Sequence, residues 1–270
     1  MRFAFSNIGL ADPRDPAALA ALRAAGIEGI EVAPTKLWPD WTGATAAAAA
    51  EHRTWLAARG FEVPAMQAVL FGRPELKLFG DAPAQRALVA HLVRVADLAA
   101  TFGARVVVLG APKNRDRGTL SPDAAREIAV PLLREIGAAY AARATCLCIE
   151  PNPPQYQCNF ITTAAEGLAL VEAVGSPGFG LHLDAAGMYL AGDDPAAELP
   201  RAAPTLRHFH LSEPNLGGYA APVVDHARML RLLVDAGYRR WASFEVAADR
   251  HDLAATCAYA QTLAAATGNS

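Results

Sequence analysis

Eight short runs rich in β-branched and apolar residues punctuate the chain: RFAFSNI (2–8), GIEV (29–32), EVPAMQ (62–67), RVVVLG (105–110), LCIEP (147–151), GLHLD (180–184), RHFHLS (207–212) and ASFEV (242–246). Between them stand segments such as DPAALAALRAAG, AQRALVAHLVRVADLAATFG and HARMLRLLVDAG. Their apolar residues recur three or four apart, with Gly just past the end, as a helix terminus prefers. Strand-like and helix-like stretches alternating from end to end predict a parallel sheet wrapped in helices. Eight such units in 270 residues is the number a (β/α)8 TIM barrel requires, in a single domain over 1–270. An open doubly wound sheet is the competing arrangement, but the first strand-to-helix turn, SNIGLADPRD, lacks a G-x-G-x-x-G fingerprint. The alanine run 46–50 lies within GATAAAAAEHRTWLAARG and predicts a further helix, Ala being the best helix former.

Composition narrows the function. Hydrophobic residues make up 53% of the chain, which predicts a compact globule, and no Ser/Gly linker or charge block marks a domain boundary. No stretch approaches the roughly 20 uninterrupted apolar residues of a membrane span. The opening MRFAFSNIGLADP reads as a strand and not as a signal peptide, so a cytoplasmic location is expected. The four cysteines, Cys146, Cys148, Cys158 and Cys257, do not have the spacing of a disulfide framework and read as small buried apolar residues. A net charge of −3 offers no field for a polyanion, which argues against nucleic acid and acidic membranes as partners.

In a barrel of this kind the chemistry sits at the C-terminal ends of the strands. The last four runs close with Glu150, Asp184, His210 and Glu245, spaced about one β-α unit of roughly 30 residues apart. They are therefore expected on four successive strands, at one height, facing the mouth. Three carboxylates held that close repel one another and raise each other's pKa unless a cation neutralises them. One imidazole and three carboxylates suit one divalent metal ion, Mn2+ first, with Co2+, Mg2+ and Zn2+ also open. Each residue also has a structural reading: Glu150 as a loop acid before Pro151, Asp184 as a loop cap, His210 as a satisfied core histidine. Glu245 is hardest to explain that way, since an unpaired acid beside Phe244 is costly to bury.

The segments CIEPNP, GLHLD, HFHLSEPN and YRRWASFEV resemble the xylose isomerase-like barrel superfamily, in its sugar phosphate isomerase/epimerase and ketose 3-epimerase branch. The similarity covers nearly the whole chain, with GIEV, FGRPELKLFG and VDHARMLRLLVDAGY adding to it. It implies that Glu150, Asp184, His210 and Glu245 bind one divalent metal, and that Glu150 and Glu245 work as a catalytic pair on opposite faces of the substrate. The implied activity is isomerisation or epimerisation of a sugar or sugar-like keto compound, by proton removal beside a carbonyl through an enediolate. Two positions depart from the pattern: Gly187 stands where the epimerases usually carry His, and Leu216 where they usually carry Arg.

Further residues are candidates for holding substrate. His182 and His208 each lie two residues before an expected ligand, so alternation points them to the same side, as partners of a ligand or as buried barrel histidines. Asn152, Glu213 and Asn215 fall on loops of the mouth and are candidates to contact hydroxyls, with turn-forming roles as the alternative. The second and third loops bring Trp38, Trp41, Phe71, Leu78 and Phe79 toward the mouth, to wall a pocket or to bury against a partner in a homodimer or homotetramer. Lys113, Asn114, Arg115 and Arg117 after the fourth run read as a solvated loop, with an anion grip as the alternative, and Asp225 reads as a helix N-cap. A lyase or dehydratase acting on a keto-inositol or oxidised glycoside is a second functional reading, and a barrel that binds a ligand without turnover is a third.

Overall fold

The computed structural model describes residues 1–267. Eight parallel strands carry the chain round the barrel: β1 (Arg2–Ser6), β2 (Gly29–Glu31), β3 (Ala65–Met66), β4 (Val106–Leu109), β5 (Cys146–Ile149), β6 (Phe179–Asp184), β7 (Leu206–Ser212) and β8 (Trp241–Glu245). They pair in the order β2-β1-β8-β7-β6-β5-β4-β3. The isolated bridges Gly29↔Glu62 and Val32↔Met66 join β2 to β3 and complete the circle. That join is the weakest in the ring, because Pro64 has no N–H to give a ladder and leaves β3 two residues long.

The helices are α1 (Pro16–Ala24), α2 (Pro34–Leu37), α3 (Ala46–Ala57), α4 (Ala82–Phe102), α5 (Pro122–Ala141), α6 (Ala164–Val174), α7 (Ala185–Ala191), α8 (Pro195–Ala202), α9 (His226–Asp235) and α10 (Leu253–Ala266). Their ends follow local chemistry. Asp15, Asp81, Ser121, Thr163 and Asp225 each accept a backbone N–H of the first turn, and Gly103 and Gly175 close α4 and α6 in the left-handed conformation. Asp225 thus caps α9 as its sequence position predicts.

Strand alternation splits the buried residues into two sets. Leu147, Ile149, Leu181, Leu183, Phe209 and Phe244 face the helices and belong to the main core. The inward set is divided. On the β3–β5 side, Ala65, Val106, Val108, Cys146 and Cys148 form a separate apolar cluster, with the two thiols free and 3.7 Å apart. On the opposite side the buried inward side chains are polar apart from Ala4, and include Ser6, Glu31, His182, His208, His210 and Ser243. Among the described residues no helix is long and apolar enough to cross a membrane.

Candidate active site

The polar half of the barrel opens onto a cluster of acids around one imidazole nitrogen. Glu150 follows β5 directly, while Asp184 and Glu245 are the last residues of β6 and β8. His210 Nδ1 lies 3.3 Å from Glu245 Oε2, 3.8 Å from Glu150 Oε1 and 3.9 Å from Asp184 Oδ2. Donors each about 2.1 Å from one cation stand about 3 to 4 Å from one another. These separations therefore fit a single divalent ion. The buried Nδ1 itself has no hydrogen-bond partner, a costly condition that a bound cation would relieve.

Two details differ from the sequence expectation. His210 does not close its strand, for β7 runs on to Ser212. His210 pairs with Asp184 on one side and Ser243 on the other, whereas Glu245 pairs with Ser212, so the four residues do not share one rung. The stagger between tilted barrel strands, which side-chain alternation does not report, still brings them together. Asp184, moreover, is both site residue and cap. Its Oδ1 accepts the Gly187 N–H at 2.5 Å at the start of α7, a helix where a loop was expected, and its Oδ2 accepts the Ser212 hydroxyl at 2.5 Å.

Below this cluster sits a residue that sequence reasoning missed. Glu31, at the end of β2, is fully buried and takes His210 Nε2 between its oxygens at 3.0 and 3.1 Å. The Nε2–H donates to Glu31 and Nδ1 is the nitrogen turned to the mouth, an arrangement that fixes the ring plane of a ligand histidine. An acid in the middle of the otherwise apolar GIEV was the available signal. His208 Nε2 stands 3.5 Å from Glu31 Oε1, and His182 Nε2 3.5 Å from Glu150 Oε1. Both histidines point inward with the site, one layer down, as alternation predicts.

Burial and like charge shift the titration of the group. Burial, then the charges of Asp184 and Glu245, push the Glu150 carboxyl up to about 8. Burial and the Glu245 charge push Asp184 up to about 6. Burial works against charge on Glu31 too, but His210 and His208 outweigh it and hold that carboxyl well below its ordinary range. His182 is pushed well down, by burial first and by His210 and His208 next, and so is held neutral.

Glu150 rests in a cradle that only glycine provides. A Cβ on Gly110, at the end of β4, would collide with Glu150 Oε2. From beneath, the buried Arg115 donates to the carbonyls of Gly110 (2.7 Å) and Glu150 (2.6 Å) and to Asn152 Oδ1 (2.8 Å). Sequence reading took Arg115 for part of a solvated loop; instead it ties the β4 and β5 loops together, since a buried guanidinium must place its donors on available oxygens.

Two lobes open at the mouth, each of about 540 Å3. Asp184, Ser212 and Glu245 line the first, with Asn152, Glu213 and Asn215 on its rim, although both Glu213 oxygens already accept N–H groups from Val223 and Val224. Phe71 lines the second lobe, while Glu150 and Tyr156 line both. Trp38 lines neither lobe and packs 6.2 Å from the Phe102 ring, and Trp41 and Leu78 are buried in the core. Phe79 packs 4.9 Å from the Phe160 ring, so of the five side chains expected at the mouth only Phe71 lines a lobe. Leu216 lines the first lobe in a left-handed conformation, and its carbonyl accepts the Ala247 N–H.

A family model described as "Xylose isomerase-like TIM barrel" matches residues 19–266. The chain belongs to the xylose isomerase-like TIM barrel family. An L-ribulose 3-epimerase of Mesorhizobium japonicum is 32% identical over 91 residues, a match spanning 34% of this chain and only 31% of that protein. A D-psicose 3-epimerase from Clostridium cellulolyticum H10 superposes with a TM-score of 0.80 over 100% of this chain and 99% of its own, at 16% identity. The IOLI protein, solved with a zinc atom, superposes at 0.74 over 99% and 96%, at 17% identity. At such identities the likeness to these two proteins is one of fold.

Proposed function

We propose that the chain is a divalent-metal-dependent epimerase or isomerase of a sugar or sugar-like keto compound. The observation that carries this reading is the unpartnered His210 Nδ1 facing Glu150, Asp184 and Glu245 within 3.9 Å. The epimerase names of two of the similar proteins above, and the zinc atom in the third, support it.

Glu150, Asp184, His210 and Glu245 would hold the ion, which when bound supplies positive charge to polarise a neighbouring carbonyl and to stabilise the enediolate charge that develops. Glu31 holds the imidazole of His210 in plane with Nδ1 turned outward. Ser212 and the Gly187 N–H fix the Asp184 carboxylate by one hydrogen bond to each oxygen. Glu150 and Glu245 reach the imidazole from two strands three apart, and one removes the proton beside the carbonyl while the other returns it from the opposite face.

The test is solvent exchange. Protein purified and loaded with Mn2+ is incubated in D2O with a panel of ketoses, keto-inositols and keto-glycosides, and deuterium at carbon is scored by mass spectrometry. At least one compound should gain deuterium without losing a leaving group, and Glu245→Gln should lower that rate by about a thousandfold while the melting temperature holds. Metal analysis should find about one bound divalent ion per chain. Exchange that survives in Glu245→Gln, or a chain that retains no divalent metal, would sink the reading.

A further inference from the structure

We infer that the substrate has two parts, an uncharged polyhydroxyl ring and an apolar, aryl-like substituent, and that the second lobe of the mouth receives the substituent. The inference rests on the proposed reaction and adds the class of compound it acts on.

The first observation is charge. The lobe that holds the reaction centre is lined by five carboxylates, Glu150, Asp184, Glu213, Glu245 and Asp249, against one cation, Arg250. Arg250 already spends Nη1 on the Asn215 carbonyl at 2.7 Å. Such a lining suits hydroxyl groups, which donate to carboxylates, and repels a phosphate ester even with one dication in place.

The second observation is the neighbouring lobe. Its walls include Val69, Leu70, Phe71, Pro74, Val108 and Leu109, and it meets the first lobe along Glu150 and Tyr156. Of its two basic residues, Arg73 is paired with Glu75 at 2.6 Å and Lys113 lies exposed. Ala68 (φ 53°) and Ala111 (φ 45°), just past β3 and β4, also line it and adopt left-handed backbone that non-glycine residues rarely take. Either lobe alone is in the range of about 300–1,000 Å3 that holds a drug-sized ligand. A bare sugar ring bound among the carboxylates therefore leaves an apolar cavity of equal size to water.

The third observation is Phe71. It is 68% exposed, the most exposed large apolar side chain among the described residues, while its carbonyl is held by the Trp41 indole N–H at 3.3 Å. A fixed backbone presenting a bare ring at the rim of an apolar cavity is what stacking on a planar substituent needs.

The experiment uses the full chain loaded with Mn2+ and compares a free hexulose, its 6-phosphate and a phenyl 3-keto-glucoside in D2O, with unreactive phenyl β-glucoside titrated by calorimetry. We expect kcat/KM for deuterium exchange to be about tenfold or more higher for the phenyl compound than for the free hexulose. Phe71→Ala should cut that preference, and the affinity for phenyl β-glucoside, by about tenfold each. Being exposed, Phe71 can be replaced without unfolding the chain, and unchanged melting would verify this. Equal rates for all three compounds, preference for the phosphate, or a Phe71→Ala variant with unaltered preference would overturn the inference. So would sedimentation showing that Phe71→Ala converts an oligomer to monomer while phenyl β-glucoside fails to bind, since a second copy would then cover the lobe. Phenyl β-glucoside binding that depends on Phe71, without exchange on any keto compound, would overturn the proposed reaction and leave the two-part ligand standing.

Discussion

The two sides of the barrel are built from opposite materials. On the β3–β5 side, small apolar residues and thiols fill the interior, and the loops above carry the apolar lobe. From β6 round to β2, the interior holds three histidines, Glu31 and the serines Ser6, Ser212 and Ser243, and β2, β6 and β8 end in acids. Strand length follows the same division except at β2, which has three residues: β3, β4 and β5 have two, four and four, against six, seven, five and five in β6, β7, β8 and β1. Long ladders hold backbone rigidly, and a charge cluster of this density requires rigid placement, whereas an apolar wall tolerates variation. Glu150 sits on the seam and lines both lobes.

The seam is the place to break this division with the largest effect. Gly110→Ala adds one methyl from the apolar side against Glu150 Oε2, and its displacement of that carboxylate should lower kcat for exchange by about a hundredfold. Circular dichroism and melting should stay close to the parent. Unaltered kcat would mean that Glu150 need not stand where it does.

A smaller effect should follow from reaching the cluster through its support. Glu31→Gln keeps shape but removes the charge against His210 Nε2, and should weaken Mn2+ binding, read by competition with a chelating dye, by about ten- to a hundredfold. An equal loss on replacing an inward residue of the β3–β5 side, such as Val106→Ala, would erase the contrast between the halves.

Acid stability should treat the two sides alike. Burial, with the Arg14 charge second, lowers His52 in α3 to about 4, and burial lowers His226 at the start of α9 to about 4 as well. A histidine depressed in the fold contributes stability above its ordinary pKa near 6.5 and loses it as pH falls through about 4. The window is therefore pH 6.5 to 4, and for the wholly buried His226 it amounts to about 3 kcal/mol. Urea unfolding at pH 7 and pH 4 would measure it, and His226→Gln should flatten the difference. A drop confined to one histidine would show that the sides differ in acid as they do in charge.

Much of the fold was legible. All eight strands fall within or next to the apolar runs that announce them, because a buried strand needs a continuous run and a surface helix a spaced one. The exceptions have local causes: Pro64 shortens β3, and Asn7 begins a tight helical turn where a strand was expected. The four residues around His210 Nδ1 were legible because each stands at or near a strand end, one repeat from the next. Glu31 was not, since nothing in GIEV says that the ring of sheet closes and carries β2 round to face β7.

The order of elements, the alternation of inward and outward side chains and the clustering of acids in the second half of the chain are properties of the sequence, fixed by local periodicity. The stagger that sets His210 against Glu245, the division of the interior and the two lobes at the mouth belong to the tertiary structure. They depend on how far each strand slides past its neighbour as the ring closes, and no interval along one strand contains that distance.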